Sequence, residues 1–305
     1  MMLQAVLVPL DGSVFAEQSL AMGAALAVRA RAVLHLVSVH EPLPVAALPL
    51  EVPAPVSDFD ERSRLNYVEY LDALATWVRD QYGLTVATAV STGQAPMELC
   101  AYVEANAIDF VVMATHGRSG ASRWWLGSVT DRLLRRVAVP VLALPPAERS
   151  HPTEFRHLLV ALDGEIEEPV LAAAAALTRP GPAPRWTLAR VVEPAVPVLS
   201  GLAARPARLP PDWNQRREIG ARNDLARLAD RLRDEGRDID CQVLVGRGIA
   251  RQVLELASSI GADGIVVGTH GAKGMERVVL GSVADKIVRG STLPVLVAPT
   301  RGGVR

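Results

Sequence analysis

A glycine–serine pair occurs twice in the chain, each time where a helical pattern begins. Gly127-Ser128 precedes Val-Thr-Asp-Arg-Leu-Leu, and Gly281-Ser282 precedes Val-Ala-Asp-Lys-Ile-Val. The first amides of a helix have no partner within it, and the positive end of the helix dipole lies there, so such a pair suits a phosphate group. The alternative is that Ser128 and Ser282 are ordinary helix caps. Because the pair recurs at matched positions, we favour a ligand-binding loop.

Two aspartates and two glycines accompany these pairs. Asp11 and Asp163 each end an apolar segment and each precede a glycine. Their carboxylates could accept hydrogen bonds from the amino group of a base, or could shape the turn into the next helix, and the two roles can coexist. Gly117 and Gly271, upstream of the glycine–serine pairs, permit close approach of the backbone to a ligand, although they are also ordinary turn residues.

Arginine and histidine are the other side chains with chemistry in these loops. Arg123 and Arg277 occupy matched positions and could contact phosphates, or could simply be solvated. His116 and His270 stand beside the glycines. We expect the histidines to orient the turn or to contact a ligand at its rim rather than to catalyse a reaction.

The chain is a duplication, which explains why these residues come in pairs. The segment Val-Val-Met-Ala-Thr-His-Gly that ends at Gly117 recurs 154 residues later as Ile-Val-Val-Gly-Thr-His-Gly, which ends at Gly271. A length of 305 residues is typical of two domains. We therefore expect tandem domains over residues 1–147 and 153–301, joined at a proline- and charge-rich seam.

Each half alternates strand and helix patterns. Apolar strand-like runs occur in the first half at Ala5–Leu10, Val33–Val39, Thr85–Val90, Phe110–Ala114 and Val139–Leu144, and in the second half at His157–Leu162, Trp186–Val192, Asp240–Val245, Gly264–Gly268 and Val295–Ala298. Alternating strands and helices predict a parallel, doubly wound α/β sheet in each domain. Ligands bind such sheets at the carboxyl ends of the strands, where the strand order reverses.

Proline-rich segments follow the second strand of each half, over Glu41–Pro55 and Pro194–Pro211. Proline disfavours long helices and central strands there. These segments are expected to be loops, either beside a site or as plain surface connectors.

Composition and missing motifs exclude several classes of protein. A net charge of −1 gives no global basic field for nucleic acid or for an anionic membrane, and two distant cysteines suggest no metal or redox centre. No apolar run is long enough to span a bilayer, so a soluble cytoplasmic protein is expected. The chain lacks G-x-x-x-x-G-K-[ST], an intact G-x-G-x-x-G, zinc-ligand spacing and a G-x-S-x-G elbow.

The second-half loop resembles that of the universal stress proteins. Gly268-Thr-His-Gly271, nine residues and then Gly281-Ser282 match the G-x2-G-x9-G-[ST] signature of the members that bind ATP. The resemblance covers nearly the whole chain as two copies. It implies Rossmann-like, adenine-nucleotide α-hydrolase-like domains with a five-stranded sheet of order 3-2-1-4-5 in each, paired through their last strands as an intramolecular pseudo-dimer. A further homodimer and a protein partner of unknown identity are compatible with it.

The resemblance also implies roles for particular residues. Asp163 would face adenine, while ribose and phosphates would be held by Gly268, Gly271, Gly281, Ser282 and Val283. The corresponding first-half site comprises Asp11, Gly117, Gly127, Ser128 and Val129, and Arg123 and Arg277 join the two sites as phosphate contacts. Ala114 stands where the signature has its first glycine, and Asp163-Gly-Glu165 replaces the Asp-Gly-Ser of the first half. Each site thus departs from the pattern at a different place.

The function implied is binding of ATP or a related adenine nucleotide, with or without Mg²⁺, in stress response or signalling. Two alternatives stay open. A slow nucleotide hydrolase needs a residue that activates water, and only His116 and His270 are available for that role. A ligand-free interaction module would have kept the fold and lost both sites.

Overall fold

The computed structural model describes residues 3–42, 56–116, 126–147, 151–164, 167–178, 184–194, 210, 212–269 and 280–300. The strands are β1 (Ala5–Pro9), β2 (Val33–His40), β3 (Val86–Thr92), β4 (Phe110–Ala114), β5 (Val141–Leu144), β6 (His157–Ala161), β7 (Arg185–Val192), β8 (Ile239–Val245), β9 (Gly264–Gly268) and β10 (Val295–Ala298). The helices are α1 (Val14–Ala30), α2 (Val56–Tyr82), α3 (Ala95–Ala105), α4 (Ser128–Arg136), α5 (Glu168–Thr178), α6 (Trp213–Asp234), α7 (Ile249–Ser259) and α8 (Ser282–Gly290).

All ten strands lie in one sheet of order β3-β2-β1-β4-β5-β10-β9-β6-β7-β8. Each half contributes the expected order 3-2-1-4-5 with parallel neighbours. The central strands β4 and β9 are buried along almost their whole length, as their unbroken apolar sequences predict for strands covered on both faces. The two five-stranded sheets are joined edge to edge through their last strands, as the expected pseudo-dimer requires, and together they form one continuous sheet.

The fusion occurs where β5 and β10 pair antiparallel. Leu142 lies opposite Leu296, its own counterpart in the repeat, and Val141 and Ala143 lie opposite Val297 and Val295. An approximate two-fold axis therefore passes through the Leu142–Leu296 pair. Hydrogen bonding across fully buried apolar strands leaves neither last strand with an open edge.

Helices cover the sheet in two layers that run across both halves. Buried side chains of α1, α2, α5 and α6 form one apolar core, and those of α3, α4, α7 and α8 form the other. The helical periodicity of the sequence predicts the inward faces: Leu71 and Val78 are buried in α2, as are Leu225 and Leu232 in α6. Most residues of the two proline-rich segments lie outside the described residues.

Four charged side chains join α4 to α8 across the junction between the two halves. Arg135 binds Asp131 on its own helix at 3.0 Å and Asp285 on the other helix at 3.3 Å. Arg289 binds Asp285 at 3.0 Å and Asp131 at 3.2 Å. These four residues follow the two-fold symmetry of the β5–β10 pair, and they link the two helices that begin at the glycine–serine pairs.

We expect a double-mutant cycle on Arg135→Ala and Asp285→Ala to give a coupling free energy of about 1 kcal/mol. Ion pairs that are half-buried and part of a network couple more strongly than isolated pairs on the surface. The coupling should fall in 1 M salt. Urea unfolding measures it. Arg251 and Glu255, an exposed pair 3.8 Å apart within α7, provide the matched control and should couple weakly. Equal coupling in both pairs would mean that the four-residue network stabilises the junction between the halves no more than an ordinary surface ion pair would.

In the part of the chain that the structure describes, no helix is long and apolar enough to cross a membrane. No cluster of three or more His, Cys, Asp or Glu suited to a metal ion occurs among the same residues.

Candidate nucleotide site

The glycine–serine pairs begin helices α4 and α8, with glycine rather than serine at the cap position. Gly127 and Gly281 are the N-cap residues, and neither helix start has a side-chain cap. Ser128 and Ser282 are the first helical residues, so the interpretation of the serines as caps is wrong. Their hydroxyls are not used as helix caps, and the amides of the first turn have no partner within the helix.

Threonine carbonyls at the strand ends hold these helix starts in place. The Gly127 amide donates to the Thr115 carbonyl at 2.8 Å, and the Gly281 amide donates to the Thr269 carbonyl at 2.6 Å. A Cβ at Gly127 would lie 3.1 Å from the Thr115 oxygen, so a larger residue there would push the helix away from the strand. The glycine requirement at this position comes from close packing.

Asp11 at the end of β1 supports the following helix. Its Oδ1 accepts hydrogen bonds from the Ser13 amide at 3.0 Å and from the Ser13 hydroxyl at 2.6 Å. Ser13 in turn caps α1 by accepting from the Ala16 amide at 3.2 Å. The turn-forming role predicted for Asp11 is present, and its carboxylate still lies at the carboxyl end of the central strand.

The turn after Asp163 is built differently. Gly164 has a φ of +91°, and a side chain there would overlap the guanidinium of Arg190. Arg190 also binds Asp224 of α6 at 3.3 Å. In the sheet register, Arg190 occupies the place of Ser38, whose buried hydroxyl donates to the Leu10 carbonyl at 2.7 Å. An arginine therefore packs on the second-half turn where the first half has a serine.

Glu167, which precedes α5, is partly buried among charged side chains. Burial raises the pKa of the Glu167 carboxyl, the Asp163 and Asp224 carboxylates raise it further, and Arg190 and Arg231 oppose the shift. Because the pKa is raised in the folded state, the protonated Glu167 carboxyl stabilises the fold at a pH below its unfolded pKa. That stabilisation is lost as the pH rises through the folded pKa.

We therefore expect Glu167→Gln to raise the urea midpoint of unfolding at pH 7, because the amide carries no charge to desolvate. The difference from the unsubstituted protein should shrink as pH falls below the carboxyl's pKa. Midpoints at pH 7 and pH 4 test this. A variant that is no more stable at pH 7 would show that Arg190 and Arg231 already compensate the buried charge.

A cavity of about 660 Å³ lies at the carboxyl ends of β6, β7 and β9. It brings together five of the predicted second-half residues: Asp163, Gly268, Gly281, Ser282 and Val283. Valine and isoleucine side chains form much of its wall, and Thr269, Thr300, Glu193 and Arg217 add polar groups. Such a mixture of apolar walls and a few polar groups is typical of small-molecule sites.

The first half places its described residues in the same arrangement. Asp11 lies two residues after β1, and Gly127, Ser128 and Val129 begin α4 beyond the neighbouring strand β4. Ala114, at the first-glycine position, ends β4, and its carbonyl accepts a hydrogen bond from the Thr130 hydroxyl at 3.0 Å. The remaining predicted residues, Gly117, Arg123, Gly271 and Arg277, lie outside the described residues, as does His270.

Sequence reasoning missed Glu193 and Arg217. Glu193 follows β7, directly before the proline-rich segment, and Arg217 lies on an exposed turn of α6 that carries many arginines. No local pattern distinguishes them, since their place in the cavity follows from the packing of α6 against β7 and β8. Comparing the residues that directly follow β2 and β7 would have paired Glu193 with Glu41.

Comparison with known proteins agrees with the fold. The profile described as the universal stress protein family matches residues 2–145 and again residues 154–299. The Mycobacterium tuberculosis universal stress protein Rv2005c is 29% identical over 203 residues, which span 63% of this chain and 62% of that protein's length. Rv2319c from the same organism is 29% identical over 236 residues, or 75% of this chain and 76% of the relative.

Solved structures share the whole architecture. A universal stress protein from Archaeoglobus fulgidus superposes with a TM-score of 0.71 at 19% identity, over 97% of this chain and 98% of its own. A universal stress protein from Pseudomonas aeruginosa superposes with a TM-score of 0.64 at 16% identity, over 97% of this chain and 93% of its own. At such identities the likeness concerns the fold. With two profile matches that together span almost the full sequence, the chain belongs to the universal stress protein family as a tandem two-domain member.

Proposed function

We propose that this protein binds an adenine nucleotide, with ATP as the first candidate, and that it acts in stress response or signalling by presenting its occupancy to a protein partner. The observation that carries the proposal is the cavity bounded by Asp163 on one side and by the first turn of α8 on another. A carboxylate suits an amino group of a base, and a helix start suits a phosphate.

The proposed nucleotide contacts are the sequence-predicted residues of each half. They are Asp11, Gly117, Arg123, Gly127, Ser128 and Val129 in the domain over 1–147, and Asp163, Gly268, Gly271, Arg277, Gly281, Ser282 and Val283 in the domain over 153–301. Mg²⁺ would be held mainly by the nucleotide's own phosphates. A cytoplasmic location remains a prediction from the sequence.

Identification of the co-purified ligand tests the proposal. The protein is purified without added nucleotide and denatured, and the released small molecules are separated by chromatography and identified by mass spectrometry. We expect an adenine nucleotide at a substantial fraction of one equivalent per chain or more. If none is released, and the emptied protein also fails to bind AMP, ADP or ATP in calorimetry, the proposal is wrong.

A further inference from the structure

The second-half cavity has two polar ends on either side of Asp163. Ser282 lies beyond β9 at one end, and Glu193 and Arg217 lie beyond β7 at the other. Because β6 separates β9 from β7 in the sheet, two strand spacings of about 4.8 Å place these ends ~10 Å apart. A mononucleotide with its phosphate at Ser282 would extend its base toward the β7 end.

Hydrogen bonds hold the β7 end together. Arg217 donates from a terminal guanidinium nitrogen to the Glu193 carbonyl at 2.7 Å, and the Glu193 carboxylate accepts from the Gly248 amide at 3.1 Å. These bonds connect α6, the end of β7 and the start of α7. A guanidinium has five N–H donors, so the bond to Glu193 fixes its position and leaves donors for a ligand.

The first half has the carboxylate of this arrangement without the arginine. Glu41 accepts from the Ala95 amide at 2.9 Å, as Glu193 does from Gly248. The inward-facing residues of α2 and α6 align 154 positions apart, which pairs Leu71 with Leu225 and Val78 with Leu232. That alignment places Ser63 where the second half has Arg217.

The walls beside Arg217 suit a flat aromatic group. Val191, Ile249 and Val253 line the cavity next to the β7 end. A planar guanidinium can lie over an aromatic ring or donate in the ring plane to acceptors such as N7 of a purine.

We propose that Arg217 contacts the base of the bound nucleotide in the second half, a contact that the first half, with Ser63 at the matching position, does not make in the same way. This inference rests on the proposed function, because it assumes that the phosphate lies at Ser282. It assigns to Arg217 a role in base recognition separate from phosphate binding.

Calorimetric titration of Arg217→Ala with AMP, ADP and ATP tests the inference. A Ser128→Asp background, which places a negative charge at the first-half helix start, confines the measurement to the second half. We expect Arg217→Ala to weaken all three nucleotides by a similar factor, roughly tenfold. Ribose 5-phosphate, which has no base, should bind the variant and its parent equally.

Two further variants separate base recognition from structural effects. Arg216→Ala removes a neighbouring arginine that pairs with Asp212 at 2.6 Å and does not line the cavity, so it should bind as the parent does. Arg217→Lys keeps the charge without the planar fork and should still weaken the nucleotides, with thermal unfolding confirming that it is folded.

Specific outcomes would overturn the inference. Unchanged nucleotide affinity in Arg217→Ala would exclude a contact, and a loss that grows from AMP to ATP would place Arg217 on the phosphates. In either case nucleotide binding itself, and so the proposed function, would stand. A parent protein that binds none of the three nucleotides would remove both.

Discussion

Ser282→Asp is expected to weaken nucleotide binding in the second half by about 100-fold or more, equivalent to about 2.7 kcal/mol. Ser282 is the first residue of α8 and lines the cavity, so a carboxylate there would face the incoming phosphate. Two like charges 4 Å apart repel by about 4 kcal/mol near a protein surface. The same carboxylate interacts favourably with the positive end of the helix dipole and so stabilises α8, which should remain folded.

Calorimetry on the variant, together with circular dichroism and thermal unfolding, separates binding from folding. Ser282→Ala is the neutral control and should lose only the contribution of one hydroxyl. Ser128→Asp at the start of α4 is the matched first-half variant and should leave second-half affinity intact. If Ser282→Asp binds ATP as tightly as the unsubstituted protein, the phosphate does not lie at this helix start.

ATP turnover is expected to lie orders of magnitude below the roughly 1–10³ s⁻¹ of ordinary enzymes, even with micromolar binding. Phosphoryl transfer needs positioning, charge neutralisation and an oriented nucleophile. The chain has no P-loop lysine. Nδ1 of His116 lies 2.9 Å from the Thr115 hydroxyl, a hydrogen bond that orients the imidazole at the end of β4.

Phosphate release with Mg²⁺ or Mn²⁺ measures this directly, in the unsubstituted protein and in the His116→Ala, His270→Ala double variant. Both should show the same slow release. Several turnovers per second that disappear in the double variant would identify a histidine-dependent hydrolase. Slow release that also persists in the Ser128→Asp, Ser282→Asp double variant, in which both proposed phosphate sites are blocked, would point instead to a contaminating enzyme.

The internal repeat and the apolar strand pattern allow most of the fold to be predicted from the sequence. Buried strands such as β4 and β9 consist of unbroken apolar residues, and their positions match the predicted Phe110–Ala114 and Gly264–Gly268. Strand ends are less readable where proline intervenes. β5 begins at Val141 rather than at Val139, because Pro140 has no amide to donate to the sheet.

The candidate site is only partly readable. Asp163 and Ser282 follow local patterns, a strand end and a helix start, and both line the cavity. Arg190 and Arg217 reach their positions through contacts between elements distant in sequence, and neither has a local signal. The cap positions of Gly127 and Gly281 also depend on the threonine carbonyls that hold them, which no pattern around the serines reveals.

The pairing of β5 with β10 limits how the protein can assemble further. A single domain with this strand order would leave its last strand at an edge of the sheet, whereas in this chain the two last strands pair with each other. The outermost strands of the described sheet are β3 and β8, which are only partly buried and carry polar residues such as Thr88 and Gln242. Within the described part of the chain, a further strand could therefore extend the sheet only beside β3 or β8.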